Sequence, residues 1–369
     1  MELSFSGGTF VTLDGDINYR EVLDDFQQAK IIRIITYNIS KNQKNDALLD
    51  ALKDTEAEIR LITNVPSRMD TYYNSSAGNN MRSAARKNIE IYISKLDPNN
   101  FTTNFLPYFN VKNHAKLIGT ENVVYIGSAN YSNESANNIE AGILIKDKEF
   151  IKNLYKGFFD KVQEDSLSYF DESFSAFRLF ILSLHAKFCY HHKRLIENVY
   201  TDYKRTKMVV ADDVFIDISD LGSMYSDLDE LDSICRAAED TYDEENDDYN
   251  DSLDKLIECF GQLSIDWLKE IVSEDGSLYK LVAFNGEEKA NEILQEEYSA
   301  VAYDENLDRY VEMAMEESSY IYSSLHDSFS EEADDFLAEI EKIISALERA
   351  DRFTQKWKAA KVNPEINNT

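Results

Sequence analysis

The sequence predicts a mixed α/β sheet flanked by helices over residues 1–160, followed by a mainly α-helical acidic domain over residues 161–369. Three observations predict this. At 369 residues the chain exceeds one compact unit of ordinary size. Up to about residue 150, short β-branched apolar runs alternate with segments of helical periodicity, the pattern of a sheet covered by helices. The charge is also divided: the first 150 residues hold 16 Lys+Arg against 19 Asp+Glu, and the rest hold 22 against 50. The formal net charge of −31 therefore falls almost wholly on the second part, which implies different tasks for the two.

In chain order, Ile31–Ser40 is a β-branched apolar run and is expected to be a buried strand. Asn45–Thr55 has helical spacing through Leu48, Leu49, Ala51 and Leu52. Glu58–Pro66 is a second buried strand closed by its proline, and Pro66–Met81 is a loop rich in Ser, Asn, Gly and Tyr. Arg82–Leu96 fits a helix, although the alternation from Ile89 to Ile93 also fits a strand. After a hairpin at 114–130, Glu134–Glu140 forms a short helix or turn and Ala141–Lys146 an apolar strand. Glu149–Val162 and Ser173–Tyr203 are expected to be amphipathic helices, and Asp212–Ile218 a short strand. From Ser223 onward Gly and Pro become scarce and acidic residues alternate with apolar ones at helical spacing. Phe336, Ile340, Ile343, Leu347 and Ala350 step by four and three, a seam suited to a partner helix.

Composition excludes some classes. Three widely spaced cysteines, Cys189, Cys235 and Cys259, make neither a disulfide framework nor a zinc spacing, which points to a reducing compartment. There is no basic segment leading into an apolar run at the N-terminus and no apolar run long enough to span a bilayer, so a soluble cytoplasmic protein is expected. The acidic second part should repel nucleic acid and anionic membranes; the near-neutral first part need not.

The stretch from Asn113 to Asn130 carries the chemistry. Leu117-Ile118 and Val123–Ile126 are apolar and β-rich, with Gly119–Asn122 between them as the turn of a hairpin. His114 and Lys116, two apart on an extended strand, leave the same face. The second strand ends in Gly127-Ser128-Ala129-Asn130, whose small residues admit a substrate closely while the amide offers a donor. A nucleophile or base, a cation and a neutral donor converge, which suits a phosphate.

This arrangement, His-x-Lys followed by Gly-Ser-x-Asn, resembles the HKD motif of the phospholipase D superfamily. The resemblance covers residues 20–160 and is sharpest over Asn113–Ile145, where Asn138-Ile139-Glu140 also matches the Asn-x-Glu that follows the motif in single-motif nucleases. The departure is at the family's aspartate, where this chain has Glu121, with a turn to Gly127 one residue shorter than usual. What the resemblance implies is cleavage of a phosphodiester through a covalent phosphohistidine, without a cofactor or metal. Catalytic roles would fall on His114, Lys116, Ser128, Asn130 and Glu140: His114 attacks phosphorus, Lys116 and Asn130 hold nonbridging oxygens, and Glu140 orients the imidazole. Because one motif supplies half a site, a homodimer or higher homo-oligomer should complete it.

His185-Ala186-Lys187 repeats His-x-Lys, but it lies in a run of helical periodicity that separates the two side chains, so it is expected to be structural. His191-His192 is expected to sit on a helix surface rather than to bind metal. The acidic run Asp240–Asp254 is expected to be a solvated linker or helix flank, and Asp243–Asp254 within it lacks the central Gly and terminal Glu of a calcium loop.

The single motif favours a nucleic acid, DNA above all, and the loop residues Arg68, Arg82, Arg86 and Lys87, with Tyr72 and Tyr73 between them, suit backbone binding and base stacking. An ordinary solvated loop is the plainer reading of the same residues. For the acidic half, three roles fit: a scaffold for a partner such as a DNA-translocating ATPase in bacterial antiphage defence, an autoinhibitory shield, or a self-associating bundle. A phospholipase D-type lipid hydrolase and a catalytically silent phosphate-binding assembly protein are the alternative readings of the whole.

Overall fold

A computed structural model describes residues 3–4, 7–12, 15–40, 46–65, 89, 92–203, 207–239, 247–300 and 306–355. The chain divides into two compact units, one built mainly from residues up to Ser183 and the other from Leu184–Phe353.

The first unit is an eight-stranded mixed sheet. Its strands are β1 (Thr9–Val11), β2 (Ile31–Thr36), β3 (Glu58–Thr63), β4 (Phe105–Phe109), β5 (Leu117–Thr120), β6 (Val124–Gly127), β7 (Gly142–Ile145) and β8 (Leu167–Ser168), in the order β1-β7-β6-β5-β2-β3-β4-β8. β2, β3 and β4 run parallel, and every other neighbour is antiparallel. Ile32, Ile34 and Ile35 of β2 and Ile59, Leu61 and Ile62 of β3 are fully buried, as continuous apolar runs in the middle of a covered sheet must be. Helices α1 (Arg20–Asp25), α2 (Ala47–Lys53), α3 (Lys148–Leu154) and α4 (Asp160–Glu164) belong to this unit. Asp46 caps α2 by accepting from Leu48 N at 3.2 Å and Leu49 N at 3.4 Å, and Asp147 caps α3 in the same way. Between α3 and α4 the helix opens into a π-turn over Tyr155–Phe159. Tyr155 and Phe159 pack with Leu117, Val124 and Ile145 into one core cluster, and Tyr155 donates to Thr120 O at 2.7 Å.

The expected α/β class is what the structure shows, with local corrections. β4 lies where no strand was expected: Pro107 argues against a strand in the sequence, yet buried and half-buried residues alternate through it, and the strand accepts it because its outer neighbour, β8, has only two residues. The hairpin turn lies at 121–123, since Gly119 and Thr120 still pair as strand. Glu121 bonds to the backbone, accepting from Lys30 N at 2.9 Å and Ile31 N at 3.2 Å, and so pins the entry of β2.

The second unit is helical. After the crossing helix α5 (Ala176–Asn198), a β9–β10 hairpin (Tyr200–Tyr203, Lys207–Val210) precedes α6 (Ile218–Glu239), α7 (Asp247–Gly261), α8 (Ile265–Val272), α9 (Ser277–Ala283), α10 (Gly286–Glu296) and the long α11 (Leu307–Thr354). The strand expected at Asp212–Ile218 is instead a bend leading into α6; pairing to β9 falls to the preceding β10. The seam residues Phe336, Ile340, Ile343, Leu347 and Ala350 are at most 1% exposed, so the fold of this one chain already covers them. His191 is not on the surface: it is 4% exposed, and its Nε2 meets Asp227 Oδ2 at 2.7 Å. The helical spacing that suggested a surface pair turns only His192 outward, where it meets Glu341 at 3.3 Å. Among the described residues no helix is long and apolar enough to cross a membrane.

Candidate active site

Strand polarity gathers the candidate residues at one end of the sheet. β5 pairs antiparallel to β2, with Leu117 opposite Ile35, so the start of β5 and the finish of β2 share an edge. β6 ends and β7 begins at the same edge, where Gly127 lies opposite Gly142. His114 and Lys116 precede β5, Tyr37 follows β2, Ser128 and Asn130 follow β6, and Glu140 precedes β7. Loops at one end of a sheet can each present a side chain to the same point, held by rigid strands behind them.

A cavity of about 580 Å³ opens there, lined by Tyr37, His114, Ala115, Lys116, Leu117, Ile126, Gly127, Ser128, Asn130, Leu154 and Phe158. His114 and Ser128 are exposed, Lys116 and Asn130 half-buried, and Glu140 buried. Lys116 Nζ lies 3.3 Å from His114 Nδ1 and donates to His114 O at 2.7 Å. The Tyr37 ring supports both: its centroid is 4.9 Å from the imidazole and 5.5 Å from Lys116 Nζ. An ammonium can only donate, so this contact leaves Nδ1 as the acceptor and the ring proton on Nε2.

The amide of Asn130 is oriented by the main chain. Its Oδ1 accepts from Tyr37 N at 3.1 Å and from Thr36 Oγ1 at 3.4 Å. A backbone N–H must face an oxygen, so the amide's Nδ2, with its two hydrogens, is turned the other way. Asn130 N binds Ser135 Oγ at 3.0 Å and its carbonyl accepts from Tyr19 Oη at 3.0 Å, which fixes the backbone of the same residue. The loop before His114 is held similarly: Asn113 Nδ2 donates to Thr36 O at 2.8 Å, and Asn113 Oδ1 accepts from Ala115 N at 3.0 Å.

Ser128 points its hydroxyl at Glu140 Oε2 and accepts from Ala141 N at 3.0 Å. Among the described residues no hydrogen bond joins Glu140 to His114 within the single chain. Its influence on the motif is electrostatic: burial lowers the Lys116 pKa, and the Glu140 charge opposes that fall. Burial, and then the Lys116 charge, lower the His114 pKa below the ordinary histidine value, so the imidazole is neutral at neutral pH. A neutral imidazole, an ammonium and an amide donor around one cavity can bind a phosphate and attack it. Tyr125 makes the turn compact: it lies against Gly127 and Gly142, where an added Cβ would come within 2.3 Å of its side chain, and its hydroxyl donates to Ala141 O.

The structure thus brings His114, Lys116, Ser128, Asn130 and Glu140 to one edge. Arg68, Arg82, Arg86 and Lys87, with Tyr72 and Tyr73, lie outside the described residues. Tyr37, Leu154 and Phe158 were not singled out from the sequence. By pattern Tyr37 belongs to a strand run and Phe158 to an amphipathic helix; the signal available for Tyr37 is its place just past a central strand, where such sheets bind ligands. Among the described residues no group of three His, Cys, Asp or Glu side chains is arranged to hold a metal ion.

Comparison with known proteins agrees with the motif. Residues 22–162 match the family model described as cardiolipin synthase, PLD-like domain. Among solved structures, NucT from Helicobacter pylori aligns at 17% identity and a TM-score of 0.31, over 44% of this chain and 99% of that one. Nuc from Salmonella typhimurium, a phospholipase D family member, aligns at 16% identity and a TM-score of 0.30, over 44% and 97%. TrmBL2, an archaeal chromatin protein with a novel mode of DNA binding, aligns at 12% identity and a TM-score of 0.24, over 45% and 55%. No curated protein matches the chain. The family model spans the whole His114–Glu140 constellation, so residues 22–162 of this chain match a PLD-like domain.

Proposed function

We propose that this domain is a nuclease that cleaves the phosphodiester backbone of DNA through a phosphohistidine on His114, in a site completed by a second copy of the chain. The observation that carries the reading is the fixed Asn130 amide: its oxygen is held by Tyr37 N and Thr36 Oγ1, so its donors are committed to a ligand's oxygens before any ligand arrives. Lys116 beside it adds a cation, and the exposed His114 stands next to both.

In the proposed reaction, a phosphate oxygen draws Lys116 Nζ away from His114 Nδ1. That frees Nδ1 to carry the ring proton and Nε2 to present its lone pair. Nε2 forms a bond to phosphorus as the bond to the leaving oxygen breaks; the second copy's His114, which takes up a proton beside the bound phosphate's charge, gives it to that oxygen. Water then attacks phosphorus, its proton returns to that second histidine, and the P–N bond breaks. Glu140 is assigned the role of accepting Nδ1–H, with Ser128 holding one of its oxygens. For the acidic helical unit we keep the scaffold reading, a surface for a partner such as a DNA-translocating ATPase in antiphage defence.

The test is cleavage of plasmid and single-stranded DNA in EDTA by wild type and His114→Ala. Cutting that survives EDTA and vanishes in the variant is expected. Cutting that stops in EDTA would sink the phosphohistidine scheme, and cleavage of phospholipid vesicles but not DNA would select the lipid hydrolase instead.

A further inference from the structure

Only one side of the cavity is used by the chemistry above. Part of its lining is apolar and comes from the helix that follows β7. Leu154 closes α3 and Phe158 lies one turn on, inside the π-turn; both line the cavity that holds His114 and Lys116. Tyr155 and Phe159, their neighbours in sequence, turn into the core, where Tyr155 binds Thr120 O and the Phe159 ring lies 5.7 Å from the Arg33 guanidinium. The π-turn is therefore anchored on both sides, and Phe158 is set at the cavity's edge, half-buried, by its neighbours' packing. A phosphate is wholly polar and gains nothing from such a wall. At about 580 Å³ the cavity lies within the range of about 300–1,000 Å³ typical of small-molecule sites, and it has room for a larger group beside the phosphate.

We infer that Phe158, backed by Leu154, is the base-binding wall of the site: it receives the nucleobase next to the scissile phosphate by stacking and apolar contact. This rests on the nuclease reading above and names a specificity element within it. A base is favoured over an acyl chain because the wall offers a half-buried aromatic ring, a surface for a flat group. The wall carries no polar side chain able to read a base edge, so every base should be accepted, with little sequence preference.

Equilibrium binding tests this without turnover. The full-length protein is titrated with 2-aminopurine riboside 5′-monophosphate, followed by fluorescence, and with ribose 5-phosphate as the base-free control. Phe158→Ala should weaken the fluorescent nucleotide on the order of 10-fold and leave ribose 5-phosphate within about two-fold. Phe158→Leu, which keeps apolar bulk without the ring, should fall between and shows whether loss of packing alone is at work. No nucleotide binding by wild type, equal weakening of both ligands, or no weakening of either would overturn the inference. So would a loss confined to a short-chain phosphatidic acid, which would assign the wall to an acyl chain. If wild type binds the nucleotide in a Phe158-dependent way yet cuts no DNA, the wall stands and the nuclease reading falls.

Discussion

The same tripeptide, His-Ala-Lys, occurs once in each unit, at 114–116 and at 185–187. In the sheet unit it lies in extended backbone before β5, and its histidine and lysine converge to 3.3 Å at the mouth of a cavity. In the helical unit it lies in α5, where residues two apart face different ways. His185 there meets Glu348 at 3.6 Å, while Lys187 turns to Asp227 at 2.7 Å and Glu230 at 3.3 Å. The first pair retains donors for a ligand; the second spends its charge on carboxylates of its own chain. Identical residues become an open pair lining a cavity or a structural ion pair according to the backbone that carries them.

The largest expected effect separates the two copies of the tripeptide. His114→Ala should lower DNA cleavage by about 10⁴-fold or more, since a covalent route has no substitute nucleophile. His185→Ala should leave the rate within about two-fold. A similar loss for both in a single-turnover assay would mean that the helical unit takes part in the chemistry.

Next in size is the buried cluster of the helical unit. Asp227 is 3% exposed; although burial pushes its carboxyl upward, Lys187 and His191 hold it below the usual carboxylate range. Asp227→Ala strips Lys187 of its 2.7 Å partner and His191 of its acceptor, and should cost roughly 3 kcal/mol of stability, read from denaturant unfolding. A loss under about 1 kcal/mol would show that Glu230 alone satisfies this lysine. The matching change in the sheet unit, Lys116→Met, should barely alter stability, because Lys116 is held by a carbonyl and a ring rather than by a buried carboxylate.

Asn130→Ala should then lower kcat by about 10²-fold with a smaller change in KM, the mark of a donor that acts on developing charge. Asn130→Asp should be worse than alanine, since the acid adds charge where phosphate must sit. A smaller effect concerns His114 itself. Because burial and Lys116 depress its pKa, the neutral, attacking form persists as pH falls below about 6.5 and is lost only through the lowered value. An NMR titration of His114 should show this, with Lys116→Met moving the midpoint upward. A His114 midpoint above 6.5 in wild type would contradict the assigned environment.

The parts of this comparison legible in the sequence were those that depend on local pattern. β2 and β3 announced themselves as β-branched runs, and the His114–Asn130 hairpin by its order of strand, turn and Gly-Ser-x-Asn. Helix periodicity likewise separated His185 from Lys187. What was hidden depended on tertiary placement. β4 is a strand only because β3 lies beside it, and proline masked its pattern. His191 is buried by Asp227 on another helix, and Phe158 faces the cavity because of a π-turn that no spacing rule foresees. Tyr37 holds Asn130 through its backbone N–H, which any residue type would provide there, and only the fold brings its ring against His114 and Lys116.

The smallest effect tests the family's one departure in this motif. Where the superfamily resemblance expects an aspartate, Glu121 spends its carboxylate on the N–H groups of Lys30 and Ile31 at the entry to β2, on the far side of the hairpin from His114. These are charge-assisted bonds at a partly exposed site, worth about 1–2 kcal/mol together. Glu121→Ala should therefore lower the melting temperature by a few degrees while leaving kcat within a few-fold. Glu121→Asp is one methylene shorter and should recover only part of the stability, because the reach to two successive N–H groups is set by the length of the glutamate. A fall in kcat comparable to that of Asn130→Ala, with stability unchanged, would make Glu121 part of the catalytic machinery and would narrow the contrast between residues that hold the hairpin and residues that face the substrate.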